Sequence, residues 1–247
     1  MINERIFLGF PIKFKDVCQI YPPTVNDVCG DDDFAFCQTL FTISQEDLED
    51  AYVEENVPSI PTPFQYLLMN YHQDEAAREK ILYGFQKLLG EPVTIVPELE
   101  VIIIGKNEEE LDPNVDLENP RTLDKDNFFD FQNMVRTSLG SPLAEKPVED
   151  EDPRIKRYKA KIRKSDRIIA KKKKGTNFGT LIAAICCMGI GLTPLNIGEI
   201  SYACVPWIIG MSQQKEEYDI DIRALLAGAD KKKVKPKYWI KDLNEEN

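Results

Sequence analysis

Short apolar runs lie between Ile6 and Tyr21, separated by Gly9 and Pro11, and the run at 12–15 alternates strictly between apolar and polar residues. Alternation over a few residues is typical of half-buried strands, so this region predicts a small antiparallel set of strands. Two further runs, Val93–Val96 and Leu99–Ile104, are rich in β-branched residues. They predict a hairpin, or a pair of strands that returns to the N-terminal sheet.

Apolar residues with helical spacing follow residues that favour a helix start. Thr62 stands before Pro63, a combination typical of the first helical turn, and Asp74 opens a second periodic stretch that stops at Gly90. The acidic triplet at 31–33 favours the start of another helix electrostatically. The helices predicted in this half cover 24–29, 31–41, a stretch from Ser44, 62–71, 74–89 and a stretch from Asp124 or Asp126 to Leu139.

Pro and acidic residues punctuate two stretches. Residues 106–120 predict a loop, and residues 141–153 predict a linker between domains. We therefore predict an α+β fold in which residues 1–140 form an N-terminal domain with a small antiparallel sheet and helices. A basic helix at 154–174 and an all-helical C-terminal domain at 175–247 follow the linker.

The most apolar stretch runs from Phe178 to Leu192 and would span only ~22 Å as a helix, against the ~30 Å of a bilayer core. It predicts a buried helix of a soluble protein. Downstream, the pattern predicts three helical pieces at 178–188, 194–218 and 219–227, with Pro206 inside the second. The region 181–209 also suggests a helix-turn-helix, but its second helix lacks the Arg and Lys that contact DNA, so helix packing is favoured.

Charge is distributed unevenly along the chain. Its 31 Lys and Arg and 42 Asp and Glu give a formal charge of −11. Residues 154–174, here called the basic segment, carry +11, which leaves −22 elsewhere. Three interpretations stay open: a solvated helix balanced by the chain's own acids, a nucleic-acid contact, and docking to an acidic protein surface. The basic residues are Arg154, Lys156, Arg157, Lys159, Lys161, Arg163, Lys164, Arg167, Lys171, Lys172, Lys173 and Lys174.

Catalytic and metal-binding patterns are missing from the sequence. There is no nucleophile elbow, phosphate loop or dinucleotide fingerprint, and His72 is the single histidine. The six cysteines lack C-x-x-C spacing, and the N-terminus lacks a secretory signal, so we predict free thiols in a reducing compartment. We expect no enzyme activity, no cofactor, no metal site and no membrane partner.

Two C-terminal motifs carry a resemblance to a known family. They are CCMGIGLTPLNIGEISY at 186–202 and YDIDIRALLAGADKKKVKPKYWI at 218–240. With looser matches at 6–12, 20–24 and 127–132, the chain resembles tail assembly chaperone-type proteins from the tail modules of tailed bacteriophages and prophages of Gram-positive bacteria. The resemblance implies a protein of the host cytoplasm that binds the tape-measure protein, the long helical chain that sets tail length, before the tail tube forms around it.

The resemblance and the pattern together predict a partner-binding face in the C-terminal domain. An aggregation-prone amphipathic helix needs an apolar helical groove to cover it and surface charge to keep the complex soluble. We expect partner contacts among Ile197, Ile200, Ile208, Ile209 and Met211, and the alternative is that these side chains are simply core. A structural protein of the tail or baseplate is the main alternative function, and a nucleic-acid-binding phage protein is the third.

Overall fold

The computed structural model describes residues 4–52, 60–106, 121–146, 154–155, 158–163, 165, 177–230 and 232–240. The fold is α+β, as predicted, with helices packed around small antiparallel sheets. Most of the predicted loop at 106–120, the second half of the predicted linker and much of the basic segment lie outside the described residues.

The N-terminal strand prediction is half right. Strands β1 (Ile12–Phe14) and β2 (Cys18–Ile20) form a hairpin in which Ile12 lies opposite Ile20. The preceding apolar run does not form a strand, because residues Glu4–Phe7 form a short helix, α1, that Gly9 follows with a φ of +73°. So short an apolar run has no periodicity that separates a strand from a helical turn.

Five helices follow the hairpin, and side-chain caps mark most of their starts. Thr24, Asp31, Thr62 and Asp74 each accept a hydrogen bond from a backbone N–H three residues ahead, which satisfies one free donor of the first turn. Gly90 ends the last helix with a φ of +68°. The helices are α2 (Val25–Cys29), α3 (Asp32–Thr42), α4 (Gln45–Tyr52), α5 (Pro63–Gln73) and α6 (Glu75–Leu89), close to the predicted bounds.

A second sheet contains β3 (Val93–Val96), β4 (Val101–Ile104) and β5 (Thr122–Asp124) in that order, all antiparallel. The predicted hairpin is therefore confirmed, the alternative of a strand pair that returns to the N-terminal sheet is wrong, and β5 was not predicted. The backbone N–H of Tyr21, at the end of β2, donates instead to the carbonyl of Leu88. The next two residues, Pro22 and Pro23, have no N–H with which to continue a ladder.

The main core lies between α3, α5, α6 and helix α7 (Phe128–Ser138). Aromatic rings fill it: the centroids of Phe41 and Phe85 are 4.6 Å apart, and those of Phe64 and Phe128 are 4.8 Å apart. The Asp124 side chain accepts from the N–H of Asn127 ahead of α7, close to the predicted cap. Residues 142 and 144 of the predicted linker bond to Arg136 and Asn133, so its first part packs against α7.

The C-terminal helices differ from the prediction in number and burial. Helix α8 (Phe178–Cys187) ends before two glycines with positive φ, and a single 23-residue helix, α9 (Cys204–Leu226), replaces the two predicted there. Pro206 is the third residue of α9, where backbone N–H groups lack intrahelical partners and proline is tolerated. Only Ile185 of α8 is fully buried, so the predicted buried helix is wrong.

Residues 195–203 do not form the predicted helix, and their backbone bonds to the N-terminal region instead. Apart from a 3-10 turn at Ile197–Glu199, the segment is irregular. The predicted helix from 194 is therefore wrong in this segment, and the DNA-recognition helix of the helix-turn-helix alternative is absent from it. Its backbone bonds to distant residues, because the N–H of Val25 donates to Ile200 and the N–H of Tyr202 donates to Pro23. These bonds connect the two predicted domains, whose division stays a prediction.

Candidate partner-binding surface

A small second core joins the C-terminal helices to α2. Its buried members are Val25, Ile185, Ile197 and Val205. The partly buried side chains around them include Phe178 and Tyr202, whose rings stack with centroids 5.0 Å apart. A core of this size covers one side of α8 and the first turns of α9 and leaves the rest of both helices outside it.

The structure places most of the predicted contact residues in this second core. Ile197 is 4% exposed, and Ile200, Ile208 and Ile209 are half-buried against the same cluster. Met211 is also half-buried and lies outside the cluster. The packing of the first four side chains is that of core residues, and their contact with a partner stays a prediction.

The outer side of α8 and the turn after it carry the apolar surface that the prediction missed. Ala183, Ala184 and Cys187 are exposed along one face of α8. In the turn, Ile190 is 50% exposed and Leu195 is 94% exposed. The continuous apolar run predicted full burial, but the chain supplies no second layer of described residues over this face.

A groove of about 340 Å³ lies between the turn and the second half of α9. Met188 and Ile190 contribute apolar side chains from the turn, and Ile220, 57% exposed, contributes one from α9. Charged residues of both signs surround them on α9: Lys215, Glu216, Asp219 and Arg223. The sequence pattern gave no sign of this groove, because it depends on how the turn folds back against α9.

One residue of the basic segment is bound to acids on α4. The Arg163 guanidinium lies 2.9 Å from a carboxylate oxygen of Asp50, 3.1 Å from one of Glu46 and 3.6 Å from one of Glu49. Burial alone would lower the pKa of Arg163, but the hydrogen bonds with Asp50 and the three negative charges outweigh it and raise that pKa. For this residue, the interpretation as a charge balanced by the chain's own acids has direct support.

Three other basic residues of the segment lie in the described part of the chain. Arg154 and Lys159 also have interaction partners, and Lys161 is exposed. Ala160 is 3% exposed, which indicates that one side of this helical stretch is covered. The basic residues outside the described part of the chain are Lys156, Arg157, Lys164, Arg167, Lys171, Lys172, Lys173 and Lys174.

All six cysteines are described, and each is a free thiol. Burial raises the pKa of Cys18 and that of Cys37 to about 12, so both stay protonated at neutral pH. Cys29 and Cys187 are exposed, and His72 is exposed at the end of α5. Within the described ranges, no three His, Cys, Asp or Glu side chains are grouped to hold a metal ion.

Comparison with known proteins gives no match: no protein-family model, no curated protein and no solved structure is significantly similar to this chain. In the part of the chain that the structure describes, no helix combines the length and the apolar character needed to cross a membrane. The resemblance to tail assembly chaperones stays a prediction from the residues that carry it.

Proposed function

We propose that this chain is a non-enzymatic assembly factor that binds an amphipathic helix of a long helical partner. By the resemblance, this partner is the tape-measure protein of a phage tail, and binding takes place in the host cytoplasm. The observation that carries the proposal is the groove between the turn after α8 and α9. A groove that exposes isoleucine side chains between charged residues is a surface that an amphipathic helix can cover with its own apolar face.

The charges around the groove suit reversible binding. Lys215 and Arg223 stand on α9 with Glu216 and Asp219, so a partner helix with either sign of charge beside its apolar face finds an opposite charge. Exposed pairs of this kind contribute only ~0 to 1 kcal/mol each, so they orient the helix more than they tighten its binding. A factor that must release its partner when the tail tube forms needs such moderate contacts.

Co-expression with a phage tape-measure protein tests the proposal. We expect the wild-type chain to keep the long partner soluble and to co-purify with it. Ile190→Asp and Ile220→Asp place a charge in the groove and should abolish capture. Leu226→Asp is the matched control, because Leu226 is 83% exposed on the same helix outside the groove and its replacement should leave capture intact.

Two outcomes would count against the proposal. The first is a partner that stays insoluble with the wild-type chain, and the second is capture by the groove variants at the wild-type level. Mass spectrometry of purified virions distinguishes an assembly factor from the alternative, a structural protein of the tail or baseplate. An assembly factor is absent from the virion, whereas a structural component is present at a fixed copy number.

A further inference from the structure

The segment at 232–240, here called the tail, borders a second, open cavity of about 340 Å³ on the opposite side of α9 from the groove. The ring centroids of Tyr218 and Tyr238 are 6.0 Å apart in an edge-on arrangement, and those of Tyr238 and Trp239 are 6.5 Å apart. The α9 residues that line the cavity are three, four and seven positions apart, so they share one helix face. They are Gln214, Glu217, Tyr218 and Asp221.

Three acceptor side chains that line this cavity, Gln214, Glu217 and Asp221, have no partner among the described residues. Among the described side chains, neither Glu217 nor Asp221 forms an ion pair, and no cation lies over the three rings. The buried side-chain oxygen of Gln214 accepts no hydrogen bond in the described structure. A buried acceptor without a donor is destabilising, so a cationic donor that reaches the Gln214 oxygen from this cavity gains a hydrogen bond there and a charge partner in the two carboxylates.

Lys235 and Lys237 also border the cavity from the tail. Both are exposed, and neither pairs with the two carboxylates. Their charges oppose the entry of a cation, so removing them should strengthen its binding. A variant without these two lysines should therefore bind a cation more tightly, and a misfolded protein would not show such a gain in affinity.

We infer that the cavity binds a guanidinium group, the side chain of an arginine carried by the partner helix. The inference rests on the proposed function for the source of that arginine. A guanidinium is planar and stacks on aromatic rings, and its five N–H donors can serve Gln214 and both carboxylates together. An ammonium group is more strongly hydrated and has three donors, so it satisfies the same set less well.

Fluorescence of Trp239 measures this binding in the full-length chain. The chain has 2 tryptophans, so Trp207→Phe leaves Trp239 as the single reporter. N-acetyl-arginine methylamide should change its emission saturably, with a Kd of roughly 1–10 mM for contacts of this partly exposed kind. The uncharged citrulline counterpart should cause no saturable change. Calorimetry with the unmodified chain repeats the titration without the Trp207→Phe substitution.

Charge-neutralising variants on the two faces of α9 identify the site. Glu217→Gln with Asp221→Asn should weaken arginine binding at least ~5-fold, the effect of about 1 kcal/mol of lost pairing. Glu216→Gln with Asp219→Asn makes the same change of charge on the groove side and should alter the Kd less than ~2-fold. The pair Lys235→Gln and Lys237→Gln should tighten binding.

Each outcome decides something about the site or its ligand. No saturable signal by either method, an equal response to the citrulline compound, or unchanged affinity in the Glu217 and Asp221 variant overturns the guanidinium site. A helical peptide with one arginine should bind at least as tightly as the amide, and its exclusion overturns the partner-helix source in favour of free arginine. If the arginine probe binds while co-expression fails to capture the long partner, the proposed function fails and the site stands.

Discussion

Replacing Arg163 with alanine should detach the basic segment from α4. The guanidinium is the observed link between this segment and the acids Glu46, Glu49 and Asp50. Without it, the helical stretch at 158–163 keeps the buried methyl group of Ala160 but loses the three ion pairs that Arg163 makes with α4. We expect the stretch at 158–163 to open more often, which makes its backbone accessible to a protease.

The magnitude follows from the burial of the groups. The Arg163 side chain is 21% exposed, and that of Asp50 is 6% exposed. Removing one partner of a fully buried pair costs about 3–5 kcal/mol, and an exposed pair contributes about 0–1 kcal/mol. Asp50 and Glu49 keep other interactions after the substitution. The contact between the stretch and α4 should therefore lose about 1–2 kcal/mol, a value between these two ranges.

Limited trypsin digestion detects the opening, because trypsin cleaves after Lys and Arg. Arg163→Ala should speed cleavage within the stretch at 158–163 roughly 5-fold or more, the factor that corresponds to about 1 kcal/mol. Lys161→Ala is the matched control, since it also removes one cleavage site and one charge from the same helical stretch. Raising NaCl from 0.1 to 1 M should narrow the difference between wild type and variant, because the Debye length falls from about 10 to about 3 Å.

Two results would refute this reasoning. One is an unchanged cleavage rate in Arg163→Ala, which would show that other contacts hold the segment. The other is equal acceleration by Lys161→Ala, which would show that total charge and not the contact with α4 controls opening. If the opening is confirmed, the same variant tests whether the released basic segment binds an acidic partner more readily.

Three further predictions concern the core. Gly84→Ala should lower the free energy of unfolding by about 1–3 kcal/mol in urea titrations, because a Cβ there lies 2.5 Å from both Cβ and Sγ of Cys37; Gly179→Ala, with only one contact at 3.5 Å, should have no such cost. Cys187 should react quickly with a thiol reagent at pH 8, whereas Cys18 and Cys37 react only on unfolding; quick reaction of all three would contradict their burial. Because the pKa values of Cys18 and Cys37 are raised from 9.0 to about 12 in the folded state, their contribution to stability should be present below pH 9 and lost as the pH rises toward 12, and a flat profile over that range would contradict it.

Local chemistry made much of the fold predictable. The caps at Thr62 and Asp74 act over three residues, so the sequence around them contains the whole interaction. The hairpin of β3 and β4 is similarly local. Strand β5 has only 3 residues, too few for a periodic pattern to predict it or its pairing with β4.

The candidate surface was less predictable because it depends on packing between distant segments. The apolar residues Ile197 and Ile208 had the spacing of a partner face, but they pack with Val25 of α2. Ile190 and Ile220 were not singled out, and the turn brings them to one groove. Sequence patterns indicate that a residue favours burial, and only the fold shows whether the chain itself or another molecule covers it.

The contact between Phe7 and Cys204 joins residues that are 197 positions apart. The N-terminal part of a chain leaves the ribosome first, so α1 and α2 emerge long before residues 197–205, which pack on them, have been synthesised. Contacts such as those between α5 and α6 can form early, whereas the apolar side chains of Ile6 and Val25 must wait for residues 197–205. A nascent chain from which residues 197–205 have not yet emerged therefore presents an uncovered apolar patch around Ile6 and Val25.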